Sequence, residues 1–330
     1  MDKNTELKID LVYCWVDGND IEWQKKKTQY YTKQEEQQSN NDCRFIDNEE
    51  LKYSLRSVEK YAPWINHIYI ITDNQIPKWL NTDNPKVTII DHKNIIPNDF
   101  LPTFNSSAIE LCMHKIPDLS EYFLYANDDT YIVDYITPEF FYNKAGKPYC
   151  RLKRNIDKEA ETQYIKTIKN SYELIVKKGY KVPHFVPHHN IDAYKKSVIE
   201  EFHKEFEDEI NKTIKNKFRT TEDLQRVIYL YYAIAKEQGI FLKVPKCSML
   251  MPIYKRMICQ ITKKYNQDSA FINGDTSCIK ERLKIFHPKL LCINDSEKTM
   301  ETDRINTKQF LEEYFPQKSS FEKKAENEKE

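Results

Sequence analysis

The chain has 330 residues, long enough to bury a large core as one α/β domain or two smaller ones. Its 51 basic and 51 acidic side chains cancel, so no global field favours nucleic acid or anionic lipid, and an anionic substrate must be held by a local cluster. With 40% apolar and 13% aromatic residues the chain reads as globular, and its five glycines form neither G-x-G-x-x-G nor G-x-x-x-x-G-K-[ST], which excludes the usual glycine-rich dinucleotide and phosphate loops.

The opening MDKNTELKID has no apolar signal core, and the longest apolar run, 227–235, is far below the roughly 18 residues of a membrane span. A soluble cytoplasmic chain is expected. The eight cysteines form no C-x-x-C pair, and Cys14, Cys112 and Cys292 lie in apolar segments, which fits buried reduced thiols.

Residues 9–15, IDLVYCW, predict a first buried strand that ends in the acceptor-rich turn Val16-Asp17-Gly18-Asn19-Asp20. The Lys- and Gln-rich stretch 24–41 predicts a surface helix or a mobile loop. A helix follows, with Asp47 as N-cap, Glu50 three residues on, Leu51, Leu55 and Val58 on one face and Pro63 as the stop. Strands are expected at 67–72, ending in Asp73-Asn74, and at 87–91. Ser107 with Glu110 repeats the capping-box pattern and opens a helix whose Ile109, Cys112, Met113 and Ile116 share a face. That helix leads into YFLYANDDTY, 122–131, where Phe123 to Ala126 read as core and Asn127, Asp128 and Asp129 end the strand.

From about Arg151 long helical patterns take over. Segments 158–178 and 192–217 are charged and amphipathic, while 221–238 reads as a better core helix. Between the first two lies KVPHFVPHHNID, with three of the eight histidines and two prolines. The final third returns to short segments, including the strand 289–295, KLLCIND, and from 317 the polar tail is expected to fray. The expected organisation is an α/β half at 1–150, a helical insertion carrying the His loop at 151–240, return segments at 241–316 and a tail at 317–330.

Three strands thus end in acids or amides: Trp15 before Asp17, Thr72 before Asp73-Asn74, and Ala126 before Asn127-Asp128-Asp129. Open α/β sheets bind ligands beyond the carboxyl ends of their strands, so these clusters are expected to share one crevice. Asp128 and Asp129 suit a divalent cation bridging a nucleotide diphosphate, although on spacing alone an Asx-type turn is the commoner role of such a pair. His184, His188 and His189 on their stiffened loop suit a general base; no Cys or carboxylate lies at zinc spacing, and a surface loop is the plainer reading. Arg219 opens R-T-T-E-D, a helix-start pattern, where a guanidinium beside backbone amides can hold an anion. Arg44, Arg56, Arg151 and Arg154 are further cations, and for any one of them a surface salt bridge is the simpler role. Trp15, Trp23, Trp64 and Trp79 read as core or cleft wall.

Taken together these segments resemble the Stealth family of sugar-1-phosphate transferases, which includes bacterial capsule polymerases. IDLVYCWVDGND resembles the first conserved block, the span from RFIDNEELKYSLRSVEKYAPW through LPTFNSSAIE to YFLYANDD the second, VPHFVPHHNID with FRTTEDLQ the third, and LLCIND the fourth. The resemblance implies a Rossmann-like or GT-A-like, mostly parallel sheet flanked by helices, with a helical insertion in the second half. It implies Asp128, Asp129, His184, His188 and Arg219 as catalytic residues. H-F-V-P-H-H aligns in two ways, so His184 and His188 both stand. Trp15, Asp17, Gly18, Asp73, Asn74, Asn127 and Asn294 would bind substrate, and Asp128, Asp129 and Asp295 would hold Mg²⁺ or Mn²⁺. Ser296 follows Asp295 where the family often carries another acid.

The implied reaction moves a sugar-1-phosphate from a nucleotide-sugar donor to an oligo- or polysaccharide acceptor, with no nucleic-acid partner and with a peripheral contact to inner-membrane capsule machinery. A glycosyltransferase that breaks the bond at the sugar C1, and a non-catalytic glycan-binding protein, are the other readings.

Overall fold

The computed structural model describes residues 7–30, 45–244, 252–262, 268–274, 276, 278–296 and 299–324. Residues 31–41 of the Lys- and Gln-rich stretch, and Arg44, lie outside them. The main sheet has five strands in the order β3-β2-β1-β4-β8: β1 is Ile9–Cys14, β2 Ile68–Thr72, β3 Val87–Asp91, β4 Tyr122–Asn127 and β8 Asp192–Lys195. β3, β2, β1 and β4 run parallel and β8 closes the edge antiparallel, so the α/β class with a mostly parallel sheet is as expected.

Period-two alternation divides the core into two layers. Val12, Ile71, Phe123 and Tyr125 pack with Ile168 and Ile175 of α4, Gln163–Lys177, and with the all-round apolar α7, Val227–Ala235. Leu11, Tyr13, Ile70 and Leu124 face the other way, onto Leu51, Leu55 and Val58 of α2, Glu50–Tyr61. The one-residue offset between Leu11 and Val12 therefore decides which helices each side of the sheet meets. Two three-stranded sheets flank this body. One is β10-β11-β5 (Ser269–Asn273, Leu290–Asn294, Thr130–Ile132), and the other is β7-β6-β9 (Phe185–Pro187, Tyr149–Asn155, Ile240–Lys243).

Several boundaries move, each because side chains compete for backbone groups. Asp47 accepts from the Glu49 amide in a local turn at 3.0 Å, and the Glu50 carboxylate turns back to the Asn48 amide at 2.6 Å; α2 starts with Glu49 at its N-cap in the left-handed region, φ 65°. Asn105, not Ser107, caps α3, Ser106–Cys112, and Glu110 points into the core rather than back to the cap. The expected helix 192–217 begins as strand β8, because Ala193 and Tyr194 bury on opposite faces of the sheet; α5, Lys196–Glu205, and α6, Glu207–Ile214, follow. The helix expected from 221 begins at Val227, since Asp223 accepts from the Thr220 amide and hydroxyl, both at 2.9 Å, and closes a turn there instead.

The tail from 317 does not fray as expected over its described part. Phe321 is buried in the α2 layer, and Glu322 pairs with both Arg56 Nε and Nη2 at 2.7 Å. No helix among the described residues is long and apolar enough to cross a membrane.

Candidate active site at the carboxyl edge of the sheet

Register puts the strand ends side by side: Cys14 pairs with Ile71 on one flank and with Asn127 on the other. The loops carrying Asp17, Asp73-Asn74 and Asp128-Asp129 therefore leave the same edge, as the strand ends implied. Gln75 ties the first two together, accepting from the Asp17 amide at 3.0 Å and donating to the Asp17 carbonyl at 2.9 Å. Asp73 is held by Lys26 at 2.5 Å, from α1, Ile21–Thr28, and Asn74 takes the left-handed region at φ 56°. Gly18 is required by close approach. A Cβ there would fall 2.2 Å from the Phe45 carbonyl oxygen, to which the Gly18 amide donates at 2.8 Å. Trp15 is buried in the α2 layer, as the wall of this loop.

Asp128 and Asp129 sit on the turn between β4 and β5, and the Asp129 amide donates to Asp128 Oδ1 at 3.1 Å. This contact to the next amide is not the i to i+2 bond of an Asx turn, and it leaves the pair's negative charge without a direct cationic partner among the described residues. Burial, then Asp129, then Glu50 and Asp47 push the Asp128 carboxyl well above the ordinary range. Burial likewise pushes Asp129 up to about 6, against the Cys292 thiol that donates to its Oδ2 at 3.5 Å, and pushes Glu50 up to about 7. Asp129 Oδ1 is buried without a hydrogen-bond partner among the described residues. Two hard carboxylates with an orphaned oxygen fit a divalent cation. Among the described residues no group of three His, Cys, Asp or Glu side chains forms a ready-made metal cluster.

β11 enters from the side, with the Ile293 amide donating to the Asp129 carbonyl at 3.0 Å. Asn294 donates to Asn273 at 2.8 Å, and Asp295 is engaged by Arg304 Nε at 2.9 Å.

The histidines separate. β8 is antiparallel with Asp192 opposite Tyr125, so the 188–191 loop lies at the carboxyl edge of β4. There His188 Nε2 donates to Asp192 Oδ1 at 3.1 Å, both residues buried, and His188 Nδ1 has no hydrogen-bond partner among the described residues. Asp192 Oδ2 meets Arg226 Nη2 at 3.3 Å; Arg226 lies over the Tyr125 ring at 4.7 Å and within 3.9 Å of Glu110, which accepts from the Tyr125 hydroxyl at 3.2 Å. Burial lowers His188, and Asp192 partly offsets it. His189 faces Tyr164 Oη at 3.3 Å, and burial pushes it down to about 3. His184 stands elsewhere, half-buried against Tyr172 and paired with the exposed Asp157 at 3.3 Å.

Arg219 lies in a turn, not at the head of a helix, and its guanidinium donates to Ser106 Oγ at the start of α3. Asp223 fixes this turn to the α3 cap through Asn105 Nδ2 at 2.8 Å. Stacking of Phe218 on Phe104 at 5.3 Å, with Trp23 edge-on to Phe104 at 5.5 Å, joins the same turn to the loop that carries Asp17. Of the other cations, Arg56 is taken by Glu322, Arg151 by Asp268 at 2.9 Å, and Arg154 by Glu159.

Three conserved regions described for Stealth proteins match the chain: region CR1 at residues 7–34, CR2 at 44–150 and CR3 at 188–235. The chain is also 34% identical to an exopolysaccharide phosphotransferase of Lactiplantibacillus plantarum, over 96% of this chain and 96% of that one. It belongs to the Stealth family. Further relatives are the capsular polysaccharide phosphotransferases of Haemophilus influenzae, 36% identical over 83% of this chain and 80% of that one, and of Actinobacillus pleuropneumoniae, 40% identical over 69% and 66%. Among solved structures the chain is similar to the galactosyltransferase LgtC at 11% identity and a TM-score of 0.48, covering 94% of this chain and 96% of that one.

In this Stealth chain the region at 7–34 supplies the Asp17 loop, the region at 44–150 the acidic turn with Glu50 and Glu110, and the region at 188–235 the buried histidine, Arg219 and Arg226. Gln75, Glu110, Asp192 and Arg226 are not among the expected site residues, and Glu110 was expected only as a capping partner. Asp192 had a signal, its i+4 spacing from His188, and so had Glu110, an acid beside Ala108, Ile109 and Leu111. Arg226 meets Asp192 only through tertiary packing.

Proposed function

We propose that the chain transfers a sugar-1-phosphate from a nucleotide-diphosphate sugar, a UDP-N-acetylhexosamine or UDP-hexose, to a glycan hydroxyl. UMP leaves, and repetition builds a phosphodiester-linked polysaccharide. Family membership and its relatives' names make the chain a phosphotransferase of capsule or exopolysaccharide synthesis. The observation that carries the finer reading is the gathering, at one sheet edge, of an uncompensated acid pair and a buried histidine with one free nitrogen.

In the reaction the acceptor oxygen bonds to the β-phosphorus, and the bond from that phosphorus to the bridging oxygen breaks. Because Nε2–H is committed to Asp192, Nδ1 of His188 holds the lone pair that takes the acceptor proton. Arg219, anchored by Ser106, presents its fork to the phosphoryl oxygens, where charge spreads in the transition state. Asp128 and Asp129 would hold Mg²⁺ or Mn²⁺, which when bound neutralises diphosphate charge. Asp295 already has Arg304 as its partner and is left out of this set. Asp17, Gly18, Asp73 and Asn74, with Trp15 behind them and Asn127 and Asn294 at the flank, would line the donor.

The test is to incubate the purified protein with UDP-N-acetylglucosamine and other donors plus a glycan acceptor, with and without Mg²⁺, and to identify the released nucleotide. UMP is expected. UDP would move the broken bond to the sugar C1 and overturn the phosphotransfer.

A further inference from the structure

Helix α8, Ile253–Thr262, packs on α9, Ile279–Phe286, and turns Ile253, Tyr254, Met257 and Ile261 outward at 68%, 60%, 55% and 77% exposure. Positions 253, 257 and 261 recur at i, i+4 and i+8, with 254 beside them, so the four form one stripe down the helix. A single exposed isoleucine is ordinary, whereas a continuous apolar stripe marks an interaction surface.

The charge along this stretch of sequence has one sign. Between Glu237 and Asp268 the sequence has no carboxylate and six basic residues, Lys243, Lys246, Lys255, Arg256, Lys263 and Lys264, in a chain whose charges cancel overall. Arg256 leans toward Glu281 at 3.9 Å, and Lys255 and Lys243 are exposed.

We propose that α8 is an interfacial anchor that seats this face of the protein on an anionic lipid surface. The stripe enters the boundary between headgroups and acyl chains, and Lys255 beside it meets the lipid charge. A second copy of the chain fits worse, because a two-fold contact through this helix sets Lys255 and Arg256 against their own copies. The helix is too short and too charged to cross the bilayer, so it lies in the plane of the interface. None of this depends on the donor or on the bond that breaks.

The experiment is co-sedimentation of the full chain with phosphatidylcholine vesicles and with vesicles that also contain phosphatidylglycerol. The protein is expected to pellet with the anionic vesicles only, and less as salt rises. Ile253→Glu with Ile261→Glu should lower the partition coefficient by about tenfold or more, and Lys255→Glu by a smaller factor. Both variants should keep the wild-type melting temperature and activity on a soluble acceptor, because neither touches the catalytic edge. Failure to bind anionic vesicles, equal binding to both vesicle types, or unchanged binding of the double glutamate variant would overturn the proposal. So would light scattering that finds a dimer which the same variant dissociates.

Discussion

His188 Nε2 donates to Asp192 Oδ1 across 3.1 Å, and the other oxygen of Asp192 faces the Arg226 guanidinium at 3.3 Å. One buried carboxylate therefore sets both the tautomer of a histidine and the charge balance of an arginine. Burial by itself would raise the Asp192 carboxyl; Arg226 and then His188 bring it below the ordinary range, so it stays ionised.

If His188 is the base, His188→Ala should lower kcat on the order of 10²-fold or more, while His184→Ala, which removes a contact to exposed Asp157 and packing on Tyr172, should stay within a few-fold of wild type. Equal losses in the two variants would remove His188 from that role. Asp192→Asn withdraws the charge that holds His188 up against burial, so the acid limb of its pH–rate profile should move to lower pH as its rate falls. A melting curve on the same variant separates this effect from the cost of leaving Arg226 buried with Glu110, at 3.9 Å, as its nearby carboxylate.

Burial and then Asp129 raise the Asp128 carboxyl, burial raises Asp129, and among the described residues no hydrogen-bond partner reaches Asp129 Oδ1. Replacing either by Asn should raise the melting temperature of the metal-free protein at neutral pH, since a destabilising buried charge is removed. Mg²⁺ should stabilise the wild type, by an increment that grows with its concentration, and should stabilise Asp129→Asn much less. A metal-independent melting temperature in the wild type, read by scanning calorimetry, would count against these acids as cation ligands.

The strands and the shared carboxyl edge were legible because apolar runs ending in Asp or Asn report burial and its termination together. Val87–Asp91 forms over its expected span, and Ile68–Thr72 differs by one residue. Helix starts were less legible. Asp47, Ser107 and Asp223 each offer an acceptor that serves a cap or a local turn equally well, and tertiary contacts decided between them. The antiparallel β8 was hidden for a related reason: Asp192 and Lys195 are polar, yet their positions face a partner strand and an ion pair rather than solvent. Phe321, one apolar residue in a polar tail, was too short a signal to announce a docked segment.

Gly18→Ala tests the loop after β1. The added methyl would lie 2.2 Å from the Phe45 carbonyl oxygen, and that oxygen accepts the Gly18 amide, so the two backbones must part. Overpacking of this kind costs about 1–3 kcal/mol. KM for the donor should rise by more than kcat falls, because Asp17 shifts with the loop while His188 hangs on another element. A proportionate loss in kcat alone would show that the loop does not bind donor.

His114 and His203 make a second histidine pair, with ring centroids 4.0 Å apart beneath α7. His203 Nε2 lies 2.8 Å from the Tyr229 hydroxyl, and His114 Nδ1 is buried with no hydrogen-bond partner among the described residues. Burial, then His203, then Lys115 and Lys196 push His114 down to about 2; burial and then Lys115 push His203 down to about 4. Both rings are therefore neutral in the folded chain while their unfolded counterparts protonate near pH 6.5. Folding stability from this pair is fully present above that pH and falls as the solution is acidified toward about pH 4, where the folded His203 itself begins to charge. His114→Phe with His203→Gln should flatten the decline between those limits, with His203→Gln keeping a polar partner for Tyr229. Urea melts at a series of pH values measure it, and an unchanged slope in the double variant would assign the acid sensitivity to other groups.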